Sequence, residues 1–205
     1  MLVKEIMQKS RVIPVLVINK IEDAVPLATA LVEGGLDVLE ITLRTPGAIE
    51  AIGLIKQALP NAIVGSGTVI NPSTLNDSLN AGVDFIVSPG TTAELLDEVH
   101  KTSAPLLPGA STPTEVMSLM AQGFDAMKFF PAEAAGGVSM LKSIGGPLPQ
   151  VTFCPTGGIN LSNAPQYLSL NNVACVGGTW MLDKKLIEQK NWSEICRLAL
   201  QASQL

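Results

Sequence analysis

Short apolar runs alternate with longer amphipathic segments eight times along the 205-residue chain. This alternation constrains the fold more than any other feature of the sequence. The runs lie at 12–17, 38–43, 63–65, 85–87, 106–107, 126–129, 151–154 and 174–176. Helix-length segments follow them near 21–33, 47–59, 72–81, 91–102, 112–121, 137–144, 162–168 and 192–202, and a short helix near 3–9 precedes the first run. Asn71-Pro72 and Ser111-Thr112-Pro113 read as helix caps followed by proline in the first turn. Gly34-Gly35, Gly82 and Gly123 read as helix stops. A strand–helix unit repeated about every 26 residues implies a parallel sheet. The expected architecture is α/β: one domain over 1–205, a (β/α)8 TIM barrel with a short N-terminal helix. An open doubly wound sheet is the alternative, and the lack of a GxGxxG pattern after the first run counts against it.

Composition narrows the function classes. Hydrophobic residues make up 47% of the chain and charged residues 15%, which excludes a disordered, solvated polymer. The net charge is −5 with no basic block, so no nucleic-acid partner is expected. No apolar run approaches the roughly 18 residues of a membrane span. The charged opening MLVKEIMQKS lacks a signal-peptide core, so a cytoplasmic location is expected. So little charge on a small protein suggests surface buried against other subunits. Cys154, Cys175 and Cys196 match no zinc or redox spacing and read as packing residues. The single histidine, His100, falls at an expected helix end. No metal site and no cofactor are expected, since one histidine is a poor start for a transition-metal site.

The chemistry is concentrated in two strands. Side chains alternate faces along a strand, so Val38, Glu40, Thr42 and Arg44 share one face and Leu39, Ile41 and Leu43 the other. Likewise Ala126, Lys128 and Phe130 oppose Met127 and Phe129. The aliphatic faces suit packing under helices, which turns Glu40, Arg44 and Lys128 toward the barrel interior or its C-terminal mouth. Buried charge is costly unless it is paired or functional, and barrels of this kind carry their active sites at the C-terminal strand ends. Burial beside Phe129, Phe130 and Pro131, near a cation such as Arg44, favours a neutral, nucleophilic amine. Such an amine forms a Schiff base with a ketone, and Glu40 is placed to move protons. That set serves a metal-free aldolase.

Two glycine pairs, in Pro155-Thr156-Gly157-Gly158-Ile159 and Gly177-Gly178-Thr179-Trp180, follow the last two runs and suit an anion held by backbone amides. Thr68 and Pro89, in the loops after the third and fourth runs, are further pocket candidates. Trp180 reads as packing, and Lys184, Lys185 and Lys190 as a solvated face. The residues alone also admit a sugar-phosphate isomerase or epimerase with an electrostatic lysine, or a non-catalytic barrel that binds phosphorylated ligands.

The motifs VLEITLRT (38–45), GSGTV (65–69), VSPG (87–90), KFFPAE (128–133), CPTGGI (154–159) and GGTW (177–180) occur in this order over nearly the whole chain. In this the chain resembles the bacterial 2-keto-3-deoxy-6-phosphogluconate (KDPG) aldolases, class I aldolases that often also act on 4-hydroxy-2-oxoglutarate (KHG). The resemblance implies that Lys128 forms the Schiff base and Glu40 is the general acid/base. It implies that Arg44 and Thr68 contact the pyruvyl carboxylate, and that Pro89 and Phe130 line the pocket around the imine. Thr156, Gly157 and Gly158, with Gly178 and Thr179, would hold the distal, phosphorylated end. Thr179 departs from the serine of the usual GGSW form. A homotrimer is implied as well.

Overall fold

A computed structural model describes residues 2–205. Parallel strands alternate with helices, except that the fifth strand is followed directly by the sixth and two helices follow the last strand. Among the described residues nine short strands form: β1 Val12–Leu16, β2 Val38–Thr42, β3 Ile63–Gly67, β4 Phe85–Val87, β5 Leu106–Leu107, β6 Gly109–Ala110, β7 Ala126–Phe129, β8 Thr152–Pro155 and β9 Val176–Gly178. Six of them pair in the order β5-β4-β3-β2-β1-β9, and three in the order β6-β7-β8, all in parallel. Isolated parallel bridges at Phe153–Val173 and Thr156–Gly177 run between the β8 and β9 regions. The sheet is thus strongly curled.

The helices are α1 Val3–Lys9, α2 Ala24–Glu33, α3 Ala48–Ala58, α4 Pro72–Asn80, α5 Ala93–Val99, α6 Pro113–Ala121, α7 Gly137–Gly145, α8 Ala164–Leu168, α9 Lys184–Glu188 and α10 Trp192–Ser203. The expected caps form. Asn71 accepts from the Thr74 amide ahead of α4, and Thr112 from the Glu115 amide ahead of α6, each with proline in the first turn. The chain leaves α2, α4 and α6 with positive φ at Gly35, Gly82 and Gly123. No helix among the described residues is long and apolar enough to cross a membrane.

Several boundaries differ from the sequence reading. The fifth run yields two strands because Pro108 has no N–H to give to the ladder; its carbonyl still accepts from the Lys128 amide at 2.8 Å. The last strand is Val176–Gly178, not 174–176, because its register with β1 (Val12–Val176, Ile13–Gly177, Pro14–Gly178) sets its limits. Gly177 and Gly178 are therefore strand residues. The apolar run starts earlier only because Cys175, fully buried, packs inside the sheet. The helix α9 was not expected; Asp183 caps it by accepting from the Lys185 and Leu186 amides, and Lys184 and Lys185 stay exposed.

Two apolar layers frame the molecule. Leu39 and Ile41 of β2 and Met127 and Phe129 of β7 pack outward into the core under the helices. Inside the curl, Ile13, Val38, Phe85, Val87, Leu107, Ala126, Cys154 and Cys175 form a second cluster, which Ile6 and Met7 of α1 join from the N-terminal side. The alternation within β2 and β7 therefore sends one face to each layer, and leaves Glu40, Thr42 and Lys128 above the inner cluster.

Candidate active site

Glu40 and Lys128 reach each other across the inside of the curled sheet. Glu40 pairs in register with Val15 and Gly65, and Lys128 with Gly109 and Cys154. Lys128 Nζ donates to Glu40 Oε1 at 3.0 Å and lies 3.3 Å from Oε2. The two residues are 5% and 4% exposed, so this is a buried ion pair. Such a pair adds little to stability, because desolvation offsets its attraction. The Phe130 ring lies 5.5 Å from Nζ and closes one side. Gly67 lets the carboxylate in: a Cβ there would overlap Glu40 Oε1 and lie 2.8 Å from Cδ.

A cavity of about 320 Å³ opens above the pair at the C-terminal strand ends. Glu40, Arg44, Thr68, Pro89, Lys128, Phe130, Thr156, Gly157, Gly158, Gly178 and Thr179 all line it, so the catalytic and substrate-binding candidates from the sequence meet in one place. Arg44 takes the second of the two expected positions, exposed at the mouth, while Glu40 is the charged group paired with the lysine. The Arg44 Nε donates to Thr42 Oγ1 at 3.2 Å, while that hydroxyl donates to the Leu16 carbonyl at 2.8 Å. Thr68, the first residue after β3, takes a left-handed conformation with φ 64°, unusual for a β-branched residue.

The opposite wall is built from loops. The Thr156 amide donates to Phe129 O at 2.9 Å, which sets the turn over β7. The amides of Gly158 and Thr179 have no hydrogen-bond acceptor among the described residues. Free amides over a glycine turn suit an anion. The Trp180 ring packs against Gly178, the packing role expected of it.

Comparison with known proteins decides the family. A family model described as KDPG and KHG aldolase matches residues 3–198. The chain belongs to the KDPG and KHG aldolase family. It is 50% identical over 199 residues to the 2-dehydro-3-deoxy-phosphogluconate aldolase of Dickeya dadantii, covering 97% of this chain and 93% of that protein. It is 47% identical to the KHG/KDPG aldolase of Escherichia coli with the same coverage. Among solved structures, the KDPG aldolase of Legionella pneumophila, holding pyruvate as a covalent carbinolamine intermediate, superposes with a TM-score of 0.95 at 50% identity, over 98% of this chain and 97% of that one. The Zymomonas mobilis KDPG aldolase with 3-phosphoglycerate gives a TM-score of 0.90 at 47% identity, over 97% and 93% of the two chains.

Three lining residues of this aldolase-family site carry no role in the sequence reading: Val15, Thr42 and Ile159; Gly177 enters it only as half of the second glycine pair. Thr42 has a signal, its place on the Glu40–Arg44 face; Val15 and Ile159 read as ordinary apolar residues. The rest of the sequence candidates fall outside the site. His100 caps the end of α5, exposed and within 3.2 Å of Gln122 Oε1. Cys154 and Cys175 are buried free thiols. The neighbouring Cys154 and burial push the Cys175 thiol well up from its ordinary value, so it packs as a neutral group.

Proposed function

We propose that this chain is a class I aldolase that cleaves 2-dehydro-3-deoxy-6-phosphogluconate to pyruvate and glyceraldehyde 3-phosphate, and 4-hydroxy-2-oxoglutarate to pyruvate and glyoxylate. The observation that carries the reading is the buried Lys128–Glu40 pair at 3.0 Å on the floor of the cavity. The family match and the carbinolamine captured in the Legionella pneumophila relative support the same chemistry.

Glu40 takes a proton from the Lys128 ammonium, and the free amine attacks the C2 ketone. Glu40 returns the proton to the carbinolamine hydroxyl, which leaves as water, and an iminium remains. The carboxylate then removes the C4 hydroxyl proton, directly or through water. The C3–C4 bond breaks, its electron pair moves into the iminium as an enamine, and the aldehyde departs. Protonation of C3 by Glu40 and hydrolysis of the imine release pyruvate.

Arg44 and Thr68 hold the carboxylate, and Pro89 and Phe130 pack around the imine. Thr156, Gly157, Gly158, Gly178 and Thr179 hold the distal end, with backbone amides toward phosphate. Borohydride reduction with pyruvate is expected to leave a stable adduct on Lys128 by peptide mass. An unmodified lysine, or full activity in Lys128→Ala, overturns the mechanism.

Three structural readings belong to this proposal. The strands close into a (β/α)8 barrel, with β5 and β6 as halves of one strand; the bridges between the β8 and β9 regions support closure. Residues 1–205 form one aldolase domain, supported by a family match over 3–198. The chain assembles as a cytoplasmic homotrimer, whose contacts would cover exposed apolar side chains such as Ile70 and Met117, 52% and 58% exposed. Sedimentation at the mass of three chains is expected; a stable monomer refutes the trimer.

A further inference from the structure

We propose that Tyr167 and Glu133 are positioning residues that fix the Gly157-Gly158 turn and so set the enzyme's preference for a phosphorylated over an unphosphorylated substrate. The inference rests on the aldolase reading above.

The segment after β7 and the turn after β8 are laced together. The Ala132 amide donates to Thr156 O at 2.8 Å, and the Glu133 amide to Gly157 O at 3.1 Å. Those bonds fix the first half of the turn. The second half rests on a side chain: a Cβ at Gly158 would come within 2.8 Å of Glu133 Cβ and 2.6 Å of its Cγ. The stem of Glu133 therefore sets where Gly158, with its free amide, can sit.

Glu133 is itself exposed, and an exposed glutamate samples many rotamers. Tyr167 removes that freedom. Its ring is fully buried in α8, and its hydroxyl donates to Glu133 Oε1. Burial, and then the carboxylate, push the phenol up from its ordinary value, so it remains a donor across the working pH range. The same bond holds a negative charge in one place beside a turn that must receive a phosphate. Without it, the carboxylate is free to approach the anion and repel it. Gly137, at the start of α7, closes the arrangement, since a Cβ there would lie 3.0 Å from the Tyr167 hydroxyl and 3.3 Å from Glu133 Oε1.

The pyruvyl half of the site, built on β2 and β7, makes no use of this bond. Phosphate affinity and imine chemistry should therefore separate. The test compares steady-state kinetics of wild type, Tyr167→Phe, Glu133→Ala and Glu133→Gln on 2-dehydro-3-deoxy-6-phosphogluconate and on unphosphorylated 4-hydroxy-2-oxoglutarate. For Tyr167→Phe and Glu133→Ala, KM for the phosphorylated substrate is expected to rise about fivefold or more, with kcat within about twofold and the unphosphorylated substrate unaffected. Glu133→Gln keeps an oxygen that accepts from Tyr167 and is expected to stay near wild type. Parallel losses on both substrates, no change on either, or a Glu133→Gln as impaired as Glu133→Ala would overturn the proposal. Failure of the aldolase reading looks different: the wild type would release pyruvate from neither substrate.

Discussion

Lys128 Nζ and Glu40 Oε1 lie 3.0 Å apart although 88 residues separate them in sequence. The lysine thus carries its own proton acceptor, at the distance a single transfer requires. Replacing Glu40 by Gln removes the acceptor and keeps the volume. Turnover is expected to fall by roughly 10²–10⁴-fold, while slow borohydride trapping of pyruvate on Lys128 persists. Single-turnover trapping beside steady-state pyruvate release checks this; turnover left unchanged in Glu40→Gln would remove Glu40 from the proton transfers.

The same pair costs the fold something. Exchanging both members for apolar side chains of similar size, Lys128→Met with Glu40→Leu, is expected to abolish activity while leaving unfolding unchanged or up by about 1 kcal/mol or more. Urea denaturation gives the comparison. A large drop in the midpoint would mean that the ion pair holds the curled sheet together.

Arg44 is exposed, so its guanidinium needs a tether, and Thr42 supplies it at 3.2 Å. Thr42→Val removes the tether and keeps the shape. KM for any pyruvyl substrate is expected to rise roughly three- to tenfold, the scale of one hydrogen bond, with Thr42→Ser close to wild type. An unchanged KM would show that Arg44 is held by other means.

Gly67 admits the Glu40 carboxylate to the floor of the cavity. Gly67→Ala is expected to displace that carboxylate from Lys128 and lower kcat by about two orders of magnitude, as loss of a positioned base does. Circular dichroism should remain that of the folded wild type. Retained activity would sink the argument.

Glu115 offers a test of stability against pH. The Ser111 amide at 2.8 Å, with help from Thr112, holds its carboxyl below the usual carboxylate range in the folded chain. A carboxylate depressed on folding stabilises above its unfolded value and loses that contribution as pH falls through its folded value. Glu115→Gln is expected to cost about 0.5 kcal/mol at pH 7, a figure reduced for solvent screening. The gap from wild type should close as the pH is lowered past the ordinary carboxylate range. Melting curves at several pH values decide it; a constant gap contradicts the linkage.

Much of this was legible in the sequence for a simple reason. In β2 and β7 the side chains alternate between the two apolar layers, and an ionisable residue on the inner face stands out against aliphatic neighbours. Glu40 and Lys128 are such residues. Their direct pairing was not legible, because it depends on curling β2 toward β7 and not on any local spacing. The contacts of Thr42 and Tyr167 were not legible, because each is a single hydroxyl bond to a partner set by the fold. The limits of β9 were missed because register with β1 overrides where the apolar run begins. Pro108 splits a strand that hydropathy alone draws as continuous.

The helix α1 has a further effect through Ile6 and Met7, which seal the inner cluster from the N-terminal side. The reaction vessel is a cul-de-sac. In the proposed mechanism pyruvate is attached to Lys128 on the cavity floor and the aldehyde lies toward the mouth. The aldehyde then leaves first, and an incoming aldehyde meets an enamine already waiting. Ordered kinetics are therefore expected, with pyruvate the first substrate on in synthesis and the last product off in cleavage.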